Sequence, residues 1–409
     1  MKLLSVPDDL MEPIKAPPSF LSGFFALRRH CRMVQLDSFW ESLIWTFRSA
    51  YWGFPLFSKA RSWNVPNPVD VEGTGRHYIQ IIKSWNFLRP YFASRGYTLY
   101  RALPSHMLET CPAPFPKAAA QQEYPYSRRM YKDDQDGLFD VNVRIPPQSM
   151  RVWGARDSLG RDVVMKLVSD ATLSDELKVL RYLNTEKARS DPRNHTIPII
   201  EYLTFDGLVF AVMPRWDAAF HPDFGTVIEL MKCMEAFLEG FDFLHENRIF
   251  HGDFLDQNAG MNIIQHTQRF DLPGLREPSV TRYALYDFGN SSLYPHDAKF
   301  EEIRETKFFN FDYRRIPSPK EAYNPFPVDV ISLGFVLQLH VRHIQDIIPE
   351  LGPFFDRMVD DIPENRPTAR QALEDFQLIY SHLTPSQLSQ EVTTYFWIDG
   401  VVKTKAQCV

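Results

Sequence analysis

The sequence predicts an α+β fold in two parts, a small strand-rich unit followed by a larger helical one, with a helical extension ahead of both. Three observations predict it. Between residues 150 and 213 the apolar residues fall in short runs bounded by turn residues, the pattern of strands. From Phe224 onward the apolar spacing is helical, apart from short pieces near Ile263 and Tyr283. The first 140 residues carry two helical patterns and then a loop-like stretch from Pro104 to Pro125 with five prolines, which reads as a linker. The expected division is an extension over 1–140, a β-rich lobe over 141–216, a helical lobe over 217–385 and a tail over 386–409. Ligand sites favour the cleft between two such lobes.

In chain order, the first helix is expected from Ser38. Ser38-x-x-Glu41 makes a capping box, in which each side chain satisfies an orphan backbone N–H, and Phe39, Trp40, Leu43, Phe47 and Tyr51 follow at helical spacing. A second pattern places Tyr78, Ile81, Ile82, Trp85 and Leu88 on one face and ends before Pro90. Such aromatic stacks read as core or docking surface ahead of a ligand pocket. Residues 150–154 and 161–168 flank the turn 156–160 as a hairpin. Thr172-x-x-Asp175 caps a helix through Leu177, Leu180, Tyr182 and Leu183, and strands follow over 196–203 and 207–213.

Composition narrows the function classes. The chain has 409 residues, 44% apolar and 23% charged, with a net charge of −6. That is ordinary globular composition, without the basic footprint of a nucleic-acid binder. The four cysteines, at 31, 111, 233 and 408, lack metal or redox spacing, which points to a reducing compartment. The opening residues carry Asp8, Asp9 and prolines where a signal peptide needs an apolar core. The most apolar stretch, 39–57, is interrupted by Glu41 and Arg48, so no membrane span is expected. The expectation is an intracellular protein, cytoplasmic or nuclear.

The segment 250–258, Phe-His-Gly-Asp-Phe-Leu-Asp-Gln-Asn, has the form H-x-D-x-x-x-x-N and follows an apolar helix. The segment 285–289, Leu-Tyr-Asp-Phe-Gly, leads an apolar strand into D-F-G. Transfer of a γ-phosphoryl group needs a carboxylate to orient the attacking hydroxyl, metal ions on the phosphates and a nearby cation. Asp253 fits the carboxylate, Asn258 and Asp287 offer hard oxygen ligands for Mg²⁺, and Lys166 is a cation inside a strand. Each motif alone is weak. Their order carries the weight: strand lysine, helix glutamate, H-x-D-x-x-x-x-N after a helix, then D-F-G after a strand.

In that order the residues resemble the eukaryotic protein kinase family over about residues 141 to 380, and look most like the divergent kinase-like proteins of mushroom-forming fungi. Val328-Asp329-Val330-Ile331-Ser332-Leu333-Gly334 is similar to the D-x-x-S-L-G start of a long buried helix, and Pro363–Thr368 to the late P-x-x-R-P-T motif. Ser318-Pro319-Lys320-Glu321 stands near the A-P-E position, with one residue inserted. The resemblance implies ATP and Mg²⁺ as cofactors and a protein hydroxyl, of the Ser/Thr kind, as acceptor. It implies Asp253 as catalytic base, Lys166 on the α- and β-phosphates with Glu176 as the helix glutamate, and Asn258 and Asp287 on Mg²⁺. Met213, Pro214, Arg215 and Trp216 take the place of the adenine-contacting hinge. It further implies a buried Glu321–Arg366 ion pair and an Asp329 that accepts from the catalytic-loop backbone. The extension lies outside the resemblance and is expected to dock on the lobes or on a partner.

The chain also departs from the family pattern. Residues 143–150 contain no glycine where a Gly-rich loop belongs, which weakens a backbone cradle for phosphate. Glu176 follows Lys166 by only ten residues, so as a bare carboxylate it is equally at home in a first helical turn. Gly252 replaces the arginine of H-R-D, Leu255 replaces a lysine, and 268–279 reads as an inserted loop. H-G-D also occurs in aminoglycoside and choline kinase-like enzymes, so small-molecule phosphotransfer stays open beside a protein kinase. So does a pseudokinase, a binding or scaffold module without turnover.

Overall fold

The computed structural model describes residues 33–52, 59–64, 71–102, 108–109, 123–130, 144–145, 150–221, 223–265, 274–308 and 321–404. The fold is mixed, with a five-stranded antiparallel sheet and nine α-helices among the described residues, compatible with the α+β class. Contacts divide the chain into two compact units that are not contiguous in sequence. The first takes the residues up to 122, 133–174 and 199–215; the second takes 123–132, 175–198 and everything from Trp216 onward. Among the described residues no helix is long and apolar enough to cross a membrane.

In the first unit the sheet comprises β1 (Thr98–Leu99), β2 (Val152–Arg156), β3 (Asp162–Ser169), β4 (Glu201–Phe205) and β5 (Leu208–Pro214), in the order β1-β2-β3-β5-β4. The predicted hairpin is β2–β3. Its turn is held by the Asp157 carboxylate, which accepts from the Leu159 and Arg161 amides at 2.9 and 2.8 Å. The strand expected from residue 196 begins at Glu201 instead, because the His195 carbonyl and the Ile197 amide bond the backbone of Leu285 in the second unit.

The extension supplies part of this unit's core. Its helices are α1 (Phe39–Trp52) and α2 (Val71–Ser94), and its strand β1 pairs with β2 in the register Thr98↔Arg156. Trp85 of α2 stacks on Trp153 at 5.5 Å and meets Phe210 at 5.7 Å, while Trp45 of α1 meets Phe205 edge-on at 5.0 Å. The Tyr91 hydroxyl donates to the Thr204 carbonyl at 2.6 Å. Of the aromatics read from the sequence, Trp85 takes the core reading, whereas Phe39, Trp40 and Phe47 are exposed and Trp45, which the pattern did not name, is the buried one in α1.

Two expectations for the extension need correction. The Glu41 amide donates to Ser38 Oγ at 3.4 Å, but the Glu41 carboxylate turns to Arg95 at 3.2 Å, so only half of the capping box forms. Helix α2 does not stop before Pro90 but runs through it, since Tyr91 and Phe92 directly after it are buried and their packing offsets the lost backbone bond.

The second unit is built on α4 (Val227–Glu246), after the shorter α3 (Asp175–Leu183). Apolar side chains such as Leu230, Met231, Phe237 and Phe241 bury α4, and the free thiol of Cys233 lies among them with its pKa pushed up to about 12 by burial. Helix α3 starts at Asp175, so Thr172 stands outside it; the Thr172 amide binds Asp170 instead. Helices α5 (Phe326–Val341), α6 (Leu351–Met358) and α7 (Ala369–Ser381) follow, the last opened by a reciprocal Thr368–Gln371 capping box. Short strands complete the unit: β6 (Asp217–Ala218), β8 (Ala259–Met261) and β9 (Tyr283–Leu285) form one sheet, and β7 (Ile249–Phe250) pairs with β10 (Ser292–Leu293). The hairpin of β11 (Thr394–Ile398) and β12 (Val401–Thr404) lies near the C-terminus.

Within the segment expected as an insertion, 268–273 lies outside the described residues, and Arg276 anchors the rest. Its buried guanidinium donates to the Ala219 carbonyl at 2.8 Å and lies 3.8 Å over the Phe224 ring. The Glu321–Arg366 pair does not form. Glu321 is exposed, and the Arg366 guanidinium donates to the carbonyls of Asp360, Pro327 and Asp361 at 2.7, 3.0 and 3.3 Å. Three backbone acceptors satisfy the fork without a buried carboxylate. Residues 318–320 lie outside the described set.

Candidate active site

The loop after α4 is held from below by one carboxylate. Asp329, in the first turn of α5 and 1% exposed, accepts from the His251 and Gly252 amides at 2.8 and 3.0 Å and faces His245 Nε2 at 3.0 Å. This is the role the resemblance implied for Asp329, and each of these bonds is charge-assisted. The chain enters the loop through β7, whose pairing with β10 sets Phe250 opposite Ser292. His251 is fully buried. Its Nδ1 accepts from the Asp253 amide at 3.3 Å and its Nε2 lies 3.3 Å from the Tyr286 carbonyl, which assigns the proton to Nε2.

Three predicted site residues converge here. The Asn258 side-chain amide donates to the Asp253 carbonyl at 2.7 Å, closing the turn between them. The Asn258 carbonyl in turn accepts from the Tyr286 amide at 3.1 Å. That bond continues the β8–β9 ladder, in which Ala259 opposes Leu285, and brings the D-F-G segment beside the loop. Asp287 follows in a left-handed conformation (φ +65°), its carboxylate accepting from Gly289 N at 3.3 Å. Phe288 is buried with its ring 5.1 Å from His251. The Asp253 carboxylate itself accepts from Asn290 Nδ2 at 3.1 Å.

The remaining predicted residues are distributed between the units. Lys166 sits in mid-strand in β3, 7% exposed, opposite Val152 on one side and Ala211 on the other. Met213 is on β5 opposite Val164, and Arg215, also buried, donates its amide to the Asp162 carbonyl at 3.1 Å. Glu176 is buried in the first turn of α3 in the second unit, and Trp216 opens that unit with its indole N–H on the Pro125 carbonyl at 2.8 Å. Of the glycine-free stretch, Arg144–Ile145 form a short strand paired with Leu108–Glu109, whereas 143 and 146–149 lie outside the described residues.

The donor set is chemically uniform. The Asn258 side-chain oxygen and the Asp287 carboxylate are hard oxygen ligands of the kind Mg²⁺ takes, and a site of one or two protein oxygens completed by phosphates is its usual form. Asp256, the neighbouring carboxylate, accepts from the Gln257 amide at 2.8 Å through one oxygen. Sequence reasoning missed Asn290 and Ser291, whose hydroxyl donates to the His251 carbonyl at 2.7 Å. No spacing rule links residue 253 to 290; the β7–β10 and β8–β9 pairings do. Compared with known proteins, the chain matches no family model and no curated sequence.

Proposed function

We propose that the protein is an ATP-dependent protein kinase that transfers a γ-phosphoryl group to a Ser or Thr hydroxyl of a protein. The observation that carries the reading is the joining of the H-x-D-x-x-x-x-N loop to the D-F-G segment, with Tyr286 N–H on the Asn258 carbonyl and Asn290 on Asp253. In this reading Asp253 orients the attacking hydroxyl and accepts its proton late in the transfer. Asn258 and Asp287 would hold Mg²⁺, which when bound neutralises phosphate charge. The resemblance would give Lys166 the α- and β-phosphates, Glu176 the part of the helix glutamate and 213–216 that of the hinge.

The test is Mg²⁺-dependent transfer from ATP to the purified full chain. Phosphoserine or phosphothreonine that disappears in Asp253→Asn, with nucleotide binding kept, supports the reading. A second reading rests on the glycine-free stretch 143–150, which favours a pseudokinase. Nucleotide binding with no transfer to the chain itself or to any offered protein would select it.

A further inference from the structure

We propose that Asn290 is the positioning residue of Asp253, and that Gly252 is the residue that admits it; the inference rests on the kinase reading above. Asp253 belongs to a loop whose backbone is fixed through its amides by Asp329 and His251. The Asn290 amide, 3.1 Å from Asp253 Oδ2, adds a direct hydrogen bond to the carboxylate itself. A neutral amide is suited to positioning, because it orients an acceptor oxygen by hydrogen bonding without cancelling its charge.

Asn290 reaches that position because the D-F-G segment closes on the loop at Gly252. The glycine has φ +78°, and a Cβ built on it would lie 2.7 Å from the Asn290 carbonyl oxygen and 3.0 Å from the Phe250 ring. No side chain fits that gap. On either side of it the two segments are tied, by Ser291 Oγ on the His251 carbonyl at 2.7 Å and by the Phe250↔Ser292 register. The glycine at 252, where the resembled family carries arginine, and the asparagine at 290 thus form one arrangement. The close backbone approach brings a side-chain donor to the proposed base.

The test is a double-mutant cycle on phosphoryl transfer from Mg·ATP to the full-length chain. Asn290→Leu keeps the side chain's bulk and removes the donor. It should lower kcat about tenfold to a hundredfold, as misplacement of a reacting group does, with KM for ATP essentially unchanged. Placed in the Asp253→Asn background, the same change should cost almost nothing further, because a positioning residue acts only through the group it positions. Asn290→Gln, which retains the amide, should recover most of kcat. A second readout needs no turnover: the losses in melting midpoint of Asn290→Leu and Asp253→Leu should fail to add in the double variant. Full kcat in Asn290→Leu, or losses that simply add in either cycle, would overturn the inference alone. A parent chain that transfers no phosphate overturns the kinase reading, and this inference with it. If Asn290→Leu does not fold, Asn290→Asp carries the test, since it keeps the shape while replacing the donor with a second carboxylate.

Discussion

Gly252 shows how a single position can be constrained twice, by a backbone torsion and by a neighbour. Its positive φ disfavours any L side chain, and the Asn290 carbonyl occupies the space a Cβ would need. Gly252→Ala should therefore cost about 1–3 kcal/mol in denaturant unfolding, the span for a residue forced into a sparsely populated backbone region. The two carboxylates of the loop should separate in function. Asp253→Asn should reduce transfer about 10²–10⁴-fold, the usual contribution of a general base, while Asp256→Asn leaves turnover nearly unchanged because its carboxylate caps the Gln257 amide, a bond that the asparagine oxygen can also accept. The converse pattern would mean that the loop register is wrong. At this scale the sequence was informative where a motif carries its own spacing, as Asp253 and Asn258 do. It was silent on Asn290, whose partner lies across a ladder that no local pattern announces.

At the scale of elements, α1 is inverted relative to an ordinary surface helix. Ser42, Ser49, Ala50 and Trp45 are buried, whereas Phe39, Trp40, Ile44 and Phe47 are 65, 71, 64 and 55% exposed. Helical spacing identified the helix but picked Phe39, Trp40, Leu43, Phe47 and Tyr51 as its apolar set and passed over Trp45, the aromatic that is buried. Trp45→Ala should cost about 3–5 kcal/mol, since it empties a site lined by Phe87, Tyr91 and Phe205, while Trp40→Gln should lie within about 0.5 kcal/mol of the parent. Equal losses in chemical denaturation would refute the inside–outside assignment.

In the second unit, Arg193 joins three carboxylates, Asp191, Asp242 and Glu246, at 2.8, 2.6 and 2.5 Å, and Arg370 of α7 meets the last two from the other side. The hydrogen bond from Arg193 holds the Asp191 carboxyl below its usual range. A carboxylate so depressed contributes stability above its unfolded pKa, near 3.9, and loses it as pH falls through the folded value. Asp191→Asn should thus be less stable than the parent at neutral pH, and the difference in melting midpoint should shrink steadily below about pH 4. A difference that grows on acidification would contradict this.

At the scale of the whole molecule, the sequence marked strand-rich and helical stretches, and the structure is a mixed fold compatible with the α+β class. The sequence left open whether the extension packs on the rest of the chain or on a partner, because stacked aromatics read alike in either setting. The sheet's own residues Trp153, Phe205 and Phe210 are covered by Trp85, Trp45 and Phe92 from the extension, and β1 lies beside β2. A chain beginning at residue 141 should expose that apolar face. Limited proteolysis should then cut within β2–β5 at protease levels that leave the full chain intact.

The most direct measurement of the central claim is transfer of labelled γ-phosphate from Mg·ATP to the full-length protein, with Asp253→Asn, Asp287→Asn and Asp256→Asn run alongside. Incorporation into Ser or Thr is expected in the parent and in Asp256→Asn. Asp253→Asn should bind nucleotide normally yet transfer about 10²–10⁴-fold more slowly, and Asp287→Asn should lose the Mg²⁺-dependent part of ATP binding. Undiminished transfer by Asp253→Asn, or ATP affinity indifferent to both Mg²⁺ and Asp287, would contradict the claim.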